Sequence, residues 1–247
     1  MATGFALAAS AQAAAGACTA ETGASRNTLV ELFTSEGCSS CPPADGWLSA
    51  LKDRDDLIAL AFHVDYWDRL GWTDRFASPR FTQRQHDKAS QARSSYVYTP
   101  QVLVDGGDFR GWSAYPGGAG LARDQAAVLR LRLAASRAGD VISVKLASEP
   151  VREGAWAPRR PSAAWIAVVE DGLASEVAAG ENAGKQLRHD RVVRGWHGPF
   201  PLDASGRLEL ARDLSVAGTR PGQSRIVAVV EEAGGGQILQ ALQLACH

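Results

Sequence analysis

The feature of this sequence that most constrains its fold is the motif Cys38-Ser39-Ser40-Cys41, which stands between a strand-like and a helix-like segment. Residues 29–34 form a β-branched and aromatic run that predicts a strand. Pro42 and Pro43 suit the first turn of a helix, where a missing N–H costs little. Residues 57–64 are continuously apolar and predict a second strand, buried on both faces. This order predicts two parallel strands joined by a right-handed crossover.

The segment after the second strand predicts two more helices and a hairpin. A helix is expected at 80–93, after Pro79. Residues 101–104 predict a strand that turns at Asp105-Gly106-Gly107 and returns antiparallel at 109–112. Apolar residues at helical spacing predict a last helix, beginning after Gly120 and ending near Gly139. We therefore expect an α/β domain over residues 26–138.

Residues 139–247 have a different pattern of predicted secondary structure from the segment before them. Short strand-like runs are separated by turn residues, with no helical segment between them: 141–146, 164–169, 187–193, 208–210, 226–230 and 238–244. Several short strands without intervening helices predict an antiparallel sandwich. We expect a smaller all-β domain over residues 139–247, with the boundary near 138–140.

The two ends of the chain carry the signals of an exported protein. The first 17 residues are rich in Ala and uncharged, and Ala11-Gln12-Ala13 matches a signal-peptidase site, so residues 1–25 predict a signal-peptide remnant or a disordered tail. Export predicts a periplasmic or secreted location, where disulfides persist. Cys18 and Cys246 stand near the ends of the mature chain and are a candidate structural disulfide.

Charge and hydropathy exclude several kinds of partner. Lys and Arg number 26 against 27 Asp and Glu. The net charge is therefore too small to create an electrostatic field that favours binding to nucleic acid or to an anionic membrane surface. No stretch approaches the roughly 20 apolar residues that a transmembrane helix needs. The sequence predicts no cofactor, and it leaves the oligomeric state open.

The C-x-x-C pair predicts redox chemistry. We expect Cys38 at a helix N-terminus, where backbone N–H groups and the helix dipole favour a nucleophilic thiolate. Cys41, one turn along, would then resolve the mixed disulfide that forms on Cys38. Pro100 makes a cis peptide accessible after Thr99, just before the 101–104 strand. The leading prediction is a thiol-disulfide oxidoreductase whose substrate is a protein or a small thiol or disulfide.

Two other functions use the same motif. With His63, the thiolates of Cys38 and Cys41 make a candidate copper site, as in a metal-binding module or metallochaperone. Alternatively, the pair forms a structural disulfide in a non-catalytic interaction protein.

Longer strings of residues resemble known families. The order of strand, C-x-x-C helix, strand, helix, proline and hairpin resembles the thioredoxin fold. This resemblance implies that a cis-proline faces the dithiol and leaves backbone groups free to pair with an extended substrate. The strings VELFTSEGCSSCPPAD at 30–45, FHVDYWD at 62–68 and VYTPQ at 97–101 resemble a secreted bacterial family, domain of unknown function 1223. The string GENAGK at 180–185, with the strand after it, resembles the second half of that family.

The chain departs from the thioredoxin pattern at two positions. Gly37 stands where thioredoxin has a tryptophan, and Leu32 stands where it has a buried acid. Glu31 is expected to face the other side of its strand. Three other acids are candidates to support the dithiol: Glu36, Asp45 and Asp65. Asp65 is the best placed of these, because the C-terminal end of a parallel strand lies at the same edge as the dithiol.

Overall fold

The computed structural model describes residues 17–158 and 160–245. Its strands and α-helices are, in chain order, β1 (Cys18–Glu21), β2 (Thr28–Thr34), α1 (Pro42–Ser49), β3 (Leu57–His63), α2 (Pro79–Gln91), β4 (Gln101–Val104), β5 (Gly107–Asp108), β6 (Leu129–Ala138), β7 (Val141–Pro150), β8 (Ser162–Glu170), β9 (Leu173–Glu176), β10 (Gln186–His189), β11 (Val192–Pro201), β12 (Leu208–Ser215), β13 (Ser224–Glu232) and β14 (Ile238–Ala245). Most of the predicted signal peptide or tail lies outside the described residues. Cys246 does too, and with it the predicted Cys18–Cys246 bridge. Within the described part of the chain, no helix is long and apolar enough to cross a membrane.

Eight strands from both halves of the sequence form one sheet, in the order β14-β13-β8-β11-β3-β2-β4-β5. Strands β2 and β3 are parallel, as the sequence predicts, and β4 is antiparallel to β2. The halves join where β11 lies parallel to β3: Val192 is the register partner of Ala61, and the Ala61 N–H donates to the Arg191 carbonyl at 2.8 Å. The pairing covers the edge of β3, which would otherwise expose unpaired backbone groups.

The predicted fold class is therefore wrong. We expected an α/β thioredoxin-like domain followed by a smaller all-β sandwich, but the structure is mostly β and its largest sheet contains strands from both halves. The physical reason is backbone pairing, because β11 extends the sheet that β2 and β3 begin. Sequence periodicity does not report which strands of different segments pair.

The predicted helix between Gly120 and Gly139 is also wrong, because most of it is strand β6. Leu129, Leu131 and Leu133 are buried and alternate with exposed or half-buried neighbours, which is the period of a strand with one buried face. Residues 138–140, where we placed a domain boundary, join β6 to β7 in a hairpin. Gly139 has φ +59° in this turn, a left-handed conformation that glycine adopts without steric cost.

A second sheet, in the order β1-β6-β7-β12, packs on one face of the first. The leucines of β6 and the alternating Ile142, Val144 and Leu146 of β7 point into the space between the sheets. They meet Ile166 of β8 and Ala228 of β13 there. This is the main hydrophobic core of the C-terminal half, and burial of its apolar side chains is the driving force that holds the two sheets together.

The two helices lie on opposite faces of the eight-stranded sheet. Leu48 of α1 packs with Val30 and Leu32 of β2, whereas Phe81 of α2 packs with Phe33 and Phe62. Every residue of β2 and β3 is buried, because helices or strands cover both faces. The C-terminal end of β2 and the start of α1 thus bring the C-x-x-C motif to one edge of the core.

A buried ion cluster fastens α2 to the sheet. The Arg84 guanidinium donates to Glu31 of β2 and, through two nitrogens, to Glu231 of β13. Lys88 donates to Glu231 at 2.8 Å. Burial opposes ionisation of Glu231, but Arg84 and Lys88 outweigh it and lower the pKa to about 2. Glu31 thus points away from α1, as the strand alternation predicts.

Candidate functional site

Cys38 and Cys41 form a disulfide in the turn between β2 and α1, with their Cα atoms 5.4 Å apart. The Cys38 N–H donates to the Ser35 carbonyl, and the Cys41 N–H donates to the Cys38 carbonyl. Helix α1 begins at Pro42, so Cys41 is its N-cap residue and Cys38 lies in the preceding turn, not at the helix N-terminus. Neither cysteine has any exposed surface, although Ser39 and Ser40 between them are exposed.

Two histidine–carboxylate pairs lie buried close to this turn. His63, the last residue of β3, donates through Nδ1 to Asp74 Oδ2 at 2.7 Å, and both side chains are fully buried. Burial disfavours the charged form of His63, but Asp74 and nearby carboxylates outweigh it and raise its pKa. Burial likewise opposes ionisation of Asp74, yet His63 holds the pKa of Asp74 at about 2. Both shifts favour the charged forms of the two groups.

The second pair joins the dithiol turn to β10. His189 Nε2 lies 3.3 Å from Glu36 Oε1, and Trp72 Nε1 donates to the other Glu36 oxygen at 2.8 Å. These contacts outweigh burial and lower the pKa of Glu36. The rings of His63 and His189 meet edge to face, with centroids 4.9 Å apart. The Glu36 N–H also donates to Asp74 Oδ2, so the two pairs form one cluster.

Asp45 is a buried acid in the first turn of α1, one helical turn after Cys41. Its backbone N–H donates to the carbonyl of Cys41, four residues earlier, so the two side chains share one side of α1. Burial raises the pKa of Asp45, against the opposing effects of His189 and His63. Asp45 is therefore a carboxyl group that holds a proton more tightly than an exposed aspartate.

The other predicted residues lie at different distances from the motif. The Asp65 carboxylate accepts a hydrogen bond from Thr82 of α2, on the sheet face opposite α1. The Thr99–Pro100 peptide bond is cis, and Thr99 Oγ1 accepts from Trp67 Nε1 at 2.8 Å.

Trp67 fills the space beside Gly37. A Cβ atom built on Gly37 would lie only 3.1 Å from the Cβ of Trp67, closer than side chains normally approach. A larger residue at position 37 would displace Trp67 from Thr99. The departure from the thioredoxin pattern at Gly37 thus has a local cause: a tryptophan from a different segment packs against this position.

A loop from the C-terminal half covers the dithiol turn. We call residues 177–185 the tip loop, because they connect β9 and β10. Asn182 is fully buried, and its Nδ2 donates to the carbonyls of Glu36 and Cys38, both at 2.9 Å. The Ser39 N–H donates to Glu181 Oε2 at 2.9 Å. The tip loop therefore binds the backbone on both sides of Cys38.

The alternative copper site has limited support from these contacts. Asp74 occupies Nδ1 of His63, while Nε2 has no hydrogen-bond partner within the described residues. No group of three or more His, Cys, Asp or Glu residues is arranged to hold a metal ion in the part of the chain that the structure describes. The sulfur atoms of Cys38 and Cys41 form a disulfide with each other, so neither is present as a thiolate ligand.

Sequence reasoning missed His189, Asp74 and the role of Asn182. Residues 187–193 look like one strand, but the structure divides them between β10 and β11, with Arg191 at φ +60° between the two. His189 therefore turns toward the dithiol turn. Asn182 belongs to the GENAGK string, so the family resemblance was the signal that marked it.

The fold and the site define a mostly β protein with a buried C-x-x-C disulfide at a strand–helix junction. Residues 29–231 match the family model described as Protein of unknown function (DUF1223), and the chain belongs to this family. No curated protein sequence matches the chain significantly.

Two solved structures share the fold. The crystal structure of protein AGR_C_4864 from Agrobacterium tumefaciens aligns over 90% of this chain and 96% of that one, with 23% identity and a TM-score of 0.58. HBP35 of Porphyromonas gingivalis aligns over 90% of this chain and 75% of that one, with 16% identity and a TM-score of 0.64. At these identities the similarity shows the fold alone.

Proposed function

We propose that the chain is an exported thiol-disulfide oxidoreductase that uses Cys38 and Cys41. The observation that carries this proposal is a disulfide at the N-terminal end of α1, with a buried acid, Asp45, one helical turn after Cys41 and with a raised pKa. A catalytic dithiol needs such a group, because each cycle must protonate and deprotonate one buried sulfur. The N-terminal sequence favours export, and an oxidising compartment would return the pair to its disulfide form.

The reaction transfers two electrons. A substrate thiolate attacks Cys38 Sγ, the Cys38–Cys41 bond breaks, and the Cys41 thiolate takes the proton of Asp45. A second substrate thiolate then attacks the substrate sulfur of the mixed disulfide and releases Cys38. Two substrate thiols thus become one disulfide, and the Cys38–Cys41 disulfide becomes two thiols. The two protons that the substrate thiols lose balance the two that Cys38 and Asp45 take up. The reduction potential decides in which direction the cycle runs.

Cys38 is the better target for the first attack. Cys41 is the N-cap of α1 and lies against the helix, whereas Cys38 is followed by two exposed serines. The Sγ of Cys38 lies 3.3 Å from the hydroxyl of Ser40, which can donate a hydrogen bond to a Cys38 thiolate. Cys38 is therefore assigned as the exchanging sulfur, and Cys41 as the resolving one.

A structural disulfide is the second candidate, and the complete burial of both cysteines favours it. A redox titration of the wild-type chain in glutathione buffers separates the two functions, with Cys38→Ser and Cys41→Ser as controls. An oxidoreductase exchanges within the range of these buffers. A structural disulfide has a reduction potential below about −300 mV and therefore stays oxidised in all of these buffers.

A further inference from the structure

We propose that the tip loop is a lid which limits exchange between the Cys38–Cys41 disulfide and protein thiols, and that Asn182 is its latch. This inference rests on the proposed function, since a lid matters only if the disulfide exchanges. It assigns a role to the GENAGK string, which the reaction itself does not use.

The lid is needed to explain how a buried disulfide can react. Neither Cys38 nor Cys41 has exposed surface, and the carbonyls of Glu36 and Cys38 are bound from outside by one side chain, Asn182. A folded protein thiol must bring a sulfur within bonding distance of Cys38. Asn182 and Glu181 of the tip loop contact the backbone on both sides of Cys38, so that approach requires the loop to move.

The tip loop belongs to a hairpin whose backbone pairing is separate from both larger sheets, so the loop can move without breaking their ladders. Strands β9 and β10 form a two-stranded sheet of their own, which shares no backbone ladder with the two larger sheets in the described residues. They are inserted between β8 and β11, which pair directly with each other. Elements with few backbone connections to the core open at low free-energy cost.

The latch is specific in its chemistry. One amide group donates both hydrogens to two carbonyls, while its own oxygen accepts from Lys185 Nζ at 2.9 Å. The Nδ2 group of Asn182 reaches the two carbonyls only when the loop is closed. Gly180 lets the loop approach closely: it has φ +74°, and a Cβ there would lie 3.3 Å from the Cβ of Trp72.

The lid distinguishes thiols by size. Ser39 and Ser40 are exposed, and a small dithiol needs only a local displacement of this turn. A protein thiol needs the whole tip loop to move aside. Breaking the latch therefore accelerates exchange with a protein more than exchange with a small dithiol.

The test compares two reductants on the oxidised full-length chain. Dithiothreitol is the small dithiol, and reduced thioredoxin is the folded protein dithiol. In each reaction the reductant loses two electrons and forms a disulfide, and Cys38–Cys41 becomes two thiols. Samples are quenched with an alkylating agent, and the reduced fraction is read by mass spectrometry against time.

We expect Asn182→Ala to raise the rate constant with thioredoxin by about tenfold and the rate constant with dithiothreitol by less than about threefold. A tenfold change corresponds to about 1.4 kcal/mol, which is the net size of one or two hydrogen bonds. Asn182→Asp keeps the shape, removes the amide donor and faces two carbonyls with a charge, so we expect the same selective increase.

Controls separate the lid from general loosening of the fold. Glu176→Ala, on the exposed face of β9 in the same hairpin, should keep both wild-type rate constants. Urea midpoints report whether each variant is folded. If Asn182→Ala proves unstable, Glu181→Ala removes only the surface contact with Ser39 and should give a smaller increase in the same direction.

Equal changes with both reductants, or no change with thioredoxin, would overturn the lid while leaving the proposed function intact. If dithiothreitol fails to reduce Cys38–Cys41 in every variant, the proposed function is contradicted and the lid with it. A selective gain for thioredoxin in both Asn182 variants, absent in Glu176→Ala, supports the latch.

Discussion

Replacing Asp74 by Asn tests the buried histidine–carboxylate cluster. The Asp74 carboxylate accepts from the Glu36 N–H at 2.9 Å, from the Phe76 N–H at 2.9 Å and from His63 Nδ1 at 2.7 Å. It is only 2% exposed, so solvent screens these contacts little. The substitution keeps the size of the side chain but removes its charge.

The expected loss of unfolding free energy follows from the pKa of Asp74. The pKa of Asp74 falls from 3.8 to about 2 in the folded chain, against the opposing effect of burial. At about 1.4 kcal/mol per pH unit, this difference is worth about 2.5 kcal/mol. We expect Asp74→Asn to lower the free energy of unfolding at neutral pH by about 2–3 kcal/mol, because an amide oxygen still accepts from the backbone but forms no ion pair with His63.

Urea unfolding followed by tryptophan fluorescence measures this change, and the slope of the free energy against urea should stay the same. Asp56→Asn is the matched control, because Asp56 pairs with Arg54 at the surface and its side chain is 52% exposed. Surface ion pairs contribute about 0–1 kcal/mol. If Asp74→Asn costs no more than Asp56→Asn, the argument for a charged pair is refuted.

Two further predictions concern the ion cluster under α2. Arg84→Ala leaves Glu31 and Glu231 buried without their cation, so it should lower the free energy of unfolding by about 3–5 kcal/mol. The exposed Arg80→Ala on the same helix should cost less than about 1 kcal/mol, and equal losses would count against the cluster. Acid should also destabilise the chain: the pKa of Glu231 falls from 4.5 to about 2 on folding, so its stabilisation is complete above about pH 4.5 and is lost toward pH 2. The urea midpoints of the wild type and of Glu231→Gln are compared over that pH range. If the two midpoints depend on pH equally, the assignment to Glu231 is contradicted.

Local elements around the motif were predictable because their signals lie in short stretches of sequence. The strand before Cys38 and the two prolines after Cys41 give β2 and α1, and the apolar run after α1 gives β3. The pairing of β2 with β3 follows from the same signals. Glu31 also points to the face that strand alternation assigns to it.

The fold class and half of the site depend on contacts that no short stretch encodes. The pairing of β11 with β3 makes one sheet of two halves, and it is specified by backbone groups that every residue carries. Val128 and Leu131 fit a helical spacing, whereas Leu129 and Leu131 fit a strand, and the pairing of β6 with β1 and β7 decides between the two patterns.

The same limit explains the acids of the site. Asp65 is expected near the dithiol because it follows β3, and in the structure its carboxylate accepts a hydrogen bond from Thr82 of α2. Asp45 was one of three candidates and ranked behind Asp65; in the structure its pKa is raised by burial, whereas the pKa of Glu36, which is also buried, is lowered. His189 reaches Glu36 across about 150 residues of chain, through an inserted hairpin that the sequence does not mark.

The reduction potential of the Cys38–Cys41 pair tests the central claim most directly. The wild-type chain is equilibrated in buffers of reduced and oxidised glutathione, quenched in acid, and alkylated, and the fraction of reduced pair is read by mass spectrometry. The account predicts a single two-electron transition above about −300 mV, in the range of exchanging dithiols. A pair that stays oxidised in even the most reducing of these buffers, in a chain that remains folded, would identify a structural disulfide and contradict the proposed function.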